Sequence, residues 1–512
     1  MQTDPIHMLL RSDVDDQIIQ QWFGAAHLED VLQLLDGLCS YLRDADPSDD
    51  NIRLDPLLRC FVAWWTQPGK PMAETWQDTE LVEKNRQLYD LLGPESKQRH
   101  HLLIPLANSN WPEDLDVLMD LLIGDPPLDE SGLAQIFACL LRAPVEVIQR
   151  ILPRLLTGLD NPKVASFSLD LVNYIHRHYR LEAHPARGRV HQLTRLLDGI
   201  VSGLEKLQAS NEAAGVAGSE NLAAAASGLP LVVGLCDALG LIGDSTAIPV
   251  LQSALDLKHR RVRTEAAAAL ARLGDETGTR QLIALAEEPI ARLRVVSYAE
   301  ELDLYDQLPE QYTGPGALAQ AELVSYLASP NQFGVPPTSC ELLDSRTLYW
   351  PSFEEPRDCY LFRYSYQSID GETTSAYTNI GIAGPLAHCL RTNLCALDLD
   401  DVYAIFAGWQ VEHEEIFEQE FSTLRPRDRP RFDRLLLDME AADYTEVLPK
   451  LAARFFGDDV VVASAKYQQK DGFAVCDHAE IAWFPAAASQ EIAAVEAIWI
   501  YKGRRLLRSF NG

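Results

Sequence analysis

Cys476, His478 and Glu480 alternate along the run CDHAE, so on an extended strand their side chains share one face. A thiol beside an imidazole can be a nucleophile and its base. Strand neighbours two apart stand roughly 7 Å from each other, too far for the hydrogen bond a base needs. The expectation is a half-solvated strand without catalysis. The run VEHEEIFEQE offers His413, Glu414 and Glu418 as metal ligands. Phe417 stands where a second histidine would complete a helical zinc pair, and two carboxylates on one helix are only part of a site. An acidic, solvated helix face is expected there, and no metal or other cofactor. The pairs His100–His101 and His176/His178 lack helical ligand spacing and are expected at the surface.

Two other constellations suggest binding. In YTNIGIAGPLAHC, Gly381 and Gly384 fall between an expected strand and an expected helix, with His388 and Arg391 close behind. A glycine-rich turn at a helix N-terminus can hold an anion on free backbone N–H groups. There is no P-loop lysine and no GxGxxG, and Pro385 in a first helical turn explains the run equally well. It is the place to look for a small ligand. From Lys258 to Arg294 the chain carries eight Lys/Arg against five Asp/Glu, a net of +3. Lys258, Arg260 and Arg261 could dock an acidic partner. No aromatics are interleaved for base stacking, which argues against a nucleic-acid groove.

Helices must position most of these groups. From residue 14 to about 205 the apolar spacing is helical, as in LEDVLQLLDGLCSYL, where Leu28, Val31, Leu32, Leu35 and Leu38 share a face. Pro153 should kink or end its helix. The run at 208–228, QASNEAAGVAGSENLAAAASG, has little to bury and reads as a flexible linker. After it, LGLIGDSTAIPVLQSAL and LARLGDETGTRQLIALA superimpose with Gly243-Asp244 on Gly274-Asp275, a shift of 31 residues. Leu231, Val262 and Leu293 keep the same register. Two amphipathic helices at that period predict an α-solenoid.

The string VR…AAAALARLGD resembles the HEAT-like repeats of bacterial scaffolds and phycobilisome-type bilin lyases, over roughly residues 229–300. The resemblance implies that Arg263 and Arg294 tie adjacent units together and that Asp244 and Asp275 cap helices. This chain departs from the pattern at LKHRRVR, where a basic edge replaces a capping acid.

Beyond YTGPG the texture becomes strand-like. Tyr360, Phe362, Tyr364 and Tyr366 alternate with Cys359, Leu361, Arg363 and Ser365. The run VVVASAKYQQKDGFAVCDHAEIAWF predicts two strands joined near Asp471-Gly472, and VEAIWIYKGRRLLRSF predicts a hairpin turning at Lys502-Gly503. A helical stretch, LDDVYAIFAGWQVEHEEIFEQEF, lies between them. The expected fold is therefore mostly α: a HEAT-like α-solenoid, then a C-terminal α+β domain with an antiparallel sheet. The expected divisions are 1–207 helical, 208–228 linker, 229–312 repeats and 316–512 α+β.

A length of 512 residues is too great for one core and suits two to four domains. The net charge of −31 repels a phosphate polymer at long range. No long apolar run is free of carboxylates, and the start lacks a basic, signal-like region. Nine scattered cysteines without a close CxxC pair fit reduced thiols in the cytoplasm. The composite expectation is a cytoplasmic protein-interaction scaffold. The alternative is a C-terminal domain that handles a small molecule, bilin-lyase-like through the repeat's resemblance.

Overall fold

Apolar residues in the N-terminal segments recur at three- and four-residue steps, and the helices formed there bury this stripe, as Val147, Ile148, Ile151, Leu152 and Leu155 do in VEVIQRILPRL. The computed structural model describes the chain apart from residues 1–8, 10–13, 45–53, 68–78, 215–218, 371–372, 412–416, 456, 487–491 and 512. It divides into two compact units, Met1–Leu282 and Ile283–Gly512. That division falls upstream of the expected boundary at 312–316.

The first unit stacks helices. They are α1 (Asp16–Ala25), α2 (Leu28–Asp44), α3 (Leu54–Trp65), α4 (Thr79–Leu92), α5 (Leu103–Ala107), α6 (Pro112–Gly124), α7 (Glu130–Arg142) and α8 (Val145–Leu155). There follow α9 (Pro162–His178), α10 (Val190–Ala214), α11 (Ser219–Ile242), α12 (Ile248–Leu255) and α13 (Arg260–Arg272). Helices α5, α7, α9, α11 and α13 pack successively as one layer, while α6 packs on α8 and α10 on α12 in the other. Pro153 lies inside α8, which ends two residues later. The segment expected as a linker is largely helix, since α10 runs to Ala214 and α11 starts at Ser219. Its alanines are strong helix formers, and composition alone concealed that. His100 and His101 are buried, each 7% exposed, and not surface groups.

The repeat's punctuation has a local cause. Gly243 and Gly274 follow α11 and α13 with φ of 78° and 79°, a left-handed conformation that favours glycine and ends a helix. Between these helices, a Cβ on Gly240 would lie 2.9 Å from Ala269 Cα. The alanines of α13 thus let it lie close against α11.

The second unit contains α14 from Ile283 onward (the helix is Glu276–Ala284), α15 (Pro289–Glu301), α16 (Pro315–Leu327), α17 (Leu399–Gln410), α18 (Arg429–Ala441) and α19 (Ala494–Asn511). Strands β1 (Ser339–Tyr349), β2 (Pro356–Asp370), β3 (Thr373–Ala383) and β4 (His388–Cys389) form one antiparallel sheet in that order. Strands β5 (Phe417–Glu420), β6 (Thr445–Phe455), β7 (Asp458–Tyr467), β8 (Lys470–Cys476) and β9 (Ile481–Pro485) form a second. Every pairing in it is antiparallel.

The core places these elements in layers. Cys359 and Leu361 of β2 join Val460 and Val462 of β7 in one cluster with α17 and α19. Phe362 and Tyr364 face the other way, onto α16. Val461 and Ala463 face α18. The order is α16, first sheet, α17 with α19, second sheet, α18. The central strand β7 is buried on both faces, which is why VVVASA is a continuous apolar run.

From Pro315 the unit repeats one arrangement, helix–four strands–helix, twice over: α16–β1–β2–β3–β4–α17, then α18–β6–β7–β8–β9–α19, with β5 added between. The two inner helices cross through equivalent glycines. A Cβ on Gly408 would overlap the Trp499 carbonyl, and one on Gly503 the Ala404 carbonyl. Gly408 and Gly503 are separated by 95 positions, as are Ala404 and Trp499 (503 less 408, 499 less 404).

Two expectations are corrected here. The run VEAIWIYKGRRLLRSF is helix α19, not a hairpin. Ala497, Ile498, Ile500, Tyr501 and Leu506 go into the inter-sheet core, and Lys502-Gly503 is a helix contact instead of a turn. The β7–β8 turn lies at Gln468-Gln469, with φ of 48° and 64°, and Gly472 is inside β8. Positive φ at both positions gives the twist a tight hairpin needs, without the usual glycine or asparagine.

Candidate partner-binding surface

Helices α9, α11 and α13 carry a row of charges across their shared layer. Arg177 of α9 donates both terminal nitrogens to Asp237 of α11, Nη1 to Oδ2 at 2.6 Å. Arg272 of α13 approaches the same carboxylate at 3.9 Å. Glu265 of α13 is 1% exposed. Asp170 of α9 keeps an exposed edge, yet desolvation by the surrounding protein pushes its carboxyl up to about 6. Arg261 opposes that rise, and Asp237 and Glu265 add to it.

His184 sits beside this row and is buried. Its Nδ1 accepts from Ala186 N–H at 3.2 Å, so Nε2 carries the proton and donates to Asn173 Oδ1 at 3.0 Å. Asn173 in turn donates to Gly234 O at 3.1 Å, which ties α9 to α11. Burial, with His176 and Arg177 nearby, pushes His184 down to about 4 from 6.5. The folded value lies below the unfolded one, so its contribution is complete above about pH 6.5. It is lost as pH falls towards 4. Over that window His184→Gln should flatten the pH dependence of urea-unfolding free energy by up to one proton, about 1.4 kcal/mol per pH unit. An unchanged slope would show that His184 titrates normally.

At the N-terminal end of α13, Lys258, Arg260 and Arg261 are all exposed. His259, the residue before the helix, makes no side-chain cap. Asp244 accepts from Thr246 N at 2.9 Å and Thr246 Oγ1 at 2.7 Å. Asp275 accepts from Gly278 N at 2.8 Å and from Gln252 Nε2 at 3.2 Å. Arg263 is half-buried and Arg294 exposed. Sequence reasoning passed over Arg292 of α15, which is 3% exposed. It donates to Ala286 O and Ala317 O, both at 2.8 Å, to Gln320 Oε1 at 2.8 Å and to Glu287 O at 3.2 Å.

The glycine-rich turn in the second unit has no helix after it. Strand β3 turns at Gly384, φ 105°, and pairs back with β4, so no helix N-terminus faces an anion. A Cβ on Gly381 would meet Leu323 Cδ1 at 2.9 Å, and His388 stacks on Trp409 with ring centroids 3.8 Å apart. His388 Nδ1 is 2.9 Å from the Tyr326 hydroxyl, and burial pushes the imidazole down to about 4. Arg391 is exposed. The structure brings the glycines and His388 together as packing around α16 and α17.

Cys476 ends β8 and is buried, while His478 and Glu480 lie beyond the strand. They do not share a strand face. What organises that turn is Asp477, which accepts from Ala479 N and Glu480 N at 2.7 Å and from the Tyr501 hydroxyl. His413 and Glu414 lie outside the described residues. Glu418 is on strand β5, not a helix, and pairs with Lys502. Among the described residues, no group of three or more His, Cys, Asp or Glu could hold a metal ion. Among them, too, no helix is long and apolar enough to cross a membrane.

A family model of HEAT repeats matches residues 233–299, the segment that holds α12, α13 and α14, the C-terminal part of α11 and most of α15. No curated protein matches the chain.

Proposed function

We propose that this protein is a non-catalytic protein-interaction scaffold or adaptor, with Lys258, Arg260 and Arg261 forming the edge that meets an acidic partner surface. The observation that carries the reading is the HEAT-repeat stack over 233–299 with this basic edge exposed at the start of α13. Stacked repeats extend a surface by adding units, and such surfaces suit macromolecular partners. The charges beneath the edge pair mainly with one another, as Arg177 does with Asp237, and so hold helices in register. A net charge of −31 makes a local basic edge selective for a partner that brings its own acids. All nine cysteines are free, which fits a reducing compartment such as the cytoplasm.

The alternative, a small-molecule function of the bilin-lyase kind at Gly381, Gly384, His388 and Arg391, has less support, because Leu323 and Trp409 fill the space beside the turn. A nucleic-acid partner has less still, given the overall charge.

The test is affinity capture from native lysate with the full chain and with a variant carrying Lys258→Glu, Arg260→Glu and Arg261→Glu. A stoichiometric protein retained by the first and lost by the second, with unchanged circular dichroism, is the expected result. Equal capture by both would remove this edge from the interaction. A co-purifying chromophore or metabolite without a protein would favour the alternative.

A further inference from the structure

The two halves of the second unit differ at one sheet edge. Strand β6 carries β5 on its outer side, paired antiparallel from Phe417 opposite Arg454 to Glu420 opposite Leu451. Its counterpart β1 is the edge of the first sheet and has no strand outside it among the described residues. The register fixes the correspondence. Arg346 lies opposite Cys359 and Ala453 opposite Val460, and Cys359 and Val460 both face the core around α17 and α19. Arg346 is therefore the equivalent of Ala453, and Ser345 and Thr347 are the equivalents of Ala452 and Arg454.

The ends of this edge are already closed by side chains. Asn511 accepts from Tyr349 N–H at 2.7 Å and donates to Tyr349 O at 3.2 Å. Gln320 donates to Cys340 O at 2.6 Å, and a register shift interrupts the strand between Leu342 and Asp344. Both main-chain groups of alternate residues in an antiparallel strand point the same way. From Tyr349, without interruption, Thr347 and Ser345 therefore also direct N–H and C=O outward. Both residues are exposed. The open stretch corresponds to Ala452–Arg454, three of the four β6 residues that β5 covers.

We propose that the β1 edge at Ser345–Thr347 is a strand-addition site, which takes a short extended segment of a partner protein, antiparallel, with an acidic residue opposite Arg346. The second half supplies the template. Glu418 of β5 stands opposite Ala453 and accepts from Lys502 of an inner helix; the first half has Ala407 in place of Lys502, so the cation that an acid on an added segment meets there is Arg346 itself. In the first half, the corresponding inward position adjoins a cavity of about 830 Å³ lined by Arg346, Leu348, Leu507 and Arg508. Arg508 and Asp398 are exposed there, Arg346 bridges Asp344 and Asp400, and Arg504 holds Asp401. Main-chain bonds give such a segment its affinity, and the side-chain cavity gives selectivity. A second copy of this chain fits poorly. Two β1 strands paired about Arg346 would set like charges opposite each other.

Hydrogen exchange on the full chain tests this, with the synthetic peptide EEIFEQEFST, the sequence of residues 414–423, as probe. Without peptide, the Ser345 and Thr347 amides should exchange at least ~100-fold faster than those of Ala452 and Arg454. Saturating peptide should slow both. Thr347→Pro removes one outward N–H at an edge that tolerates proline, so it should abolish the protection without unfolding the chain. Arg346→Glu should weaken the peptide and restore binding to one with lysine in place of the first glutamate after phenylalanine. Slow exchange of Ser345 and Thr347 without peptide overturns the proposal, as does absence of protection at saturation or protection that survives Thr347→Pro. Protection that grows with protein concentration alone would assign the edge to a second copy and overturn the partner.

Discussion

Gly503→Val should destabilise the second unit by at least ~3 kcal/mol, and Gly408→Val by a similar amount. Each glycine lies where one inner helix crosses the other, and the atom a Cβ would strike is a backbone carbonyl, of Ala404 or Trp499. A carbonyl cannot rotate away as a side chain can. To make room, the helices must separate, and the inter-sheet core they hold, with Ile405, Phe406, Ile500 and Tyr501, must open with them. Helix propensity works against this expectation, because valine is better than glycine within a helix by a few tenths of a kcal/mol. The steric cost is several times larger and decides the sign. Urea unfolding gives the measurement, with the m value checked to show that the same surface is exposed. A midpoint at or above that of the unsubstituted chain would mean that the helices do not cross at these residues.

The same crossing shows why the repeated arrangement was hidden in the sequence. Only contacts of shape are preserved between the halves, a glycine against a carbonyl, while the neighbours diverge: Ala407 in one helix stands where Lys502 stands in the other. The HEAT segment was legible because its punctuation is chemical. Only glycine takes the φ of 78° at Gly243 easily, and Asp244 beside it accepts the backbone N–H of Thr246. The period-two pattern of β2 was legible for a similar reason, since Phe362 and Leu361 enter different cores. The β7–β8 hairpin was legible but its turn was not, because the positive φ values fall on Gln468-Gln469 and the glycine signal lies three residues on, at Asp471-Gly472. The charged row of the first unit was also illegible. Arg177 and Asp237 are 60 residues apart, and only the stacking of α9 on α11 makes them partners.

Arginine in the repeat makes the sharpest contrast between pattern and structure. The family resemblance points to Arg294, but the buried guanidinium of α15 belongs to Arg292, two positions earlier. Arg292→Ala should cost ~3–5 kcal/mol, and Arg294→Ala less than ~1 kcal/mol. Arg292 reaches four acceptors, on Ala286, Glu287, Ala317 and Gln320, and so binds the turn before α15 to the flank of α16. Truncation leaves those oxygens without their donor and opens a void as well. Lysine would keep the charge but offer one ammonium where a planar fork reaches several directions, so Arg292→Lys should recover only part of the loss. The buried Arg292 would then be a structural bolt within the second unit, with the exposed Arg294 adding little to its stability. Equal losses for Arg292→Ala and Arg294→Ala, measured by thermal and urea unfolding, would put the bridge back where the family pattern places it.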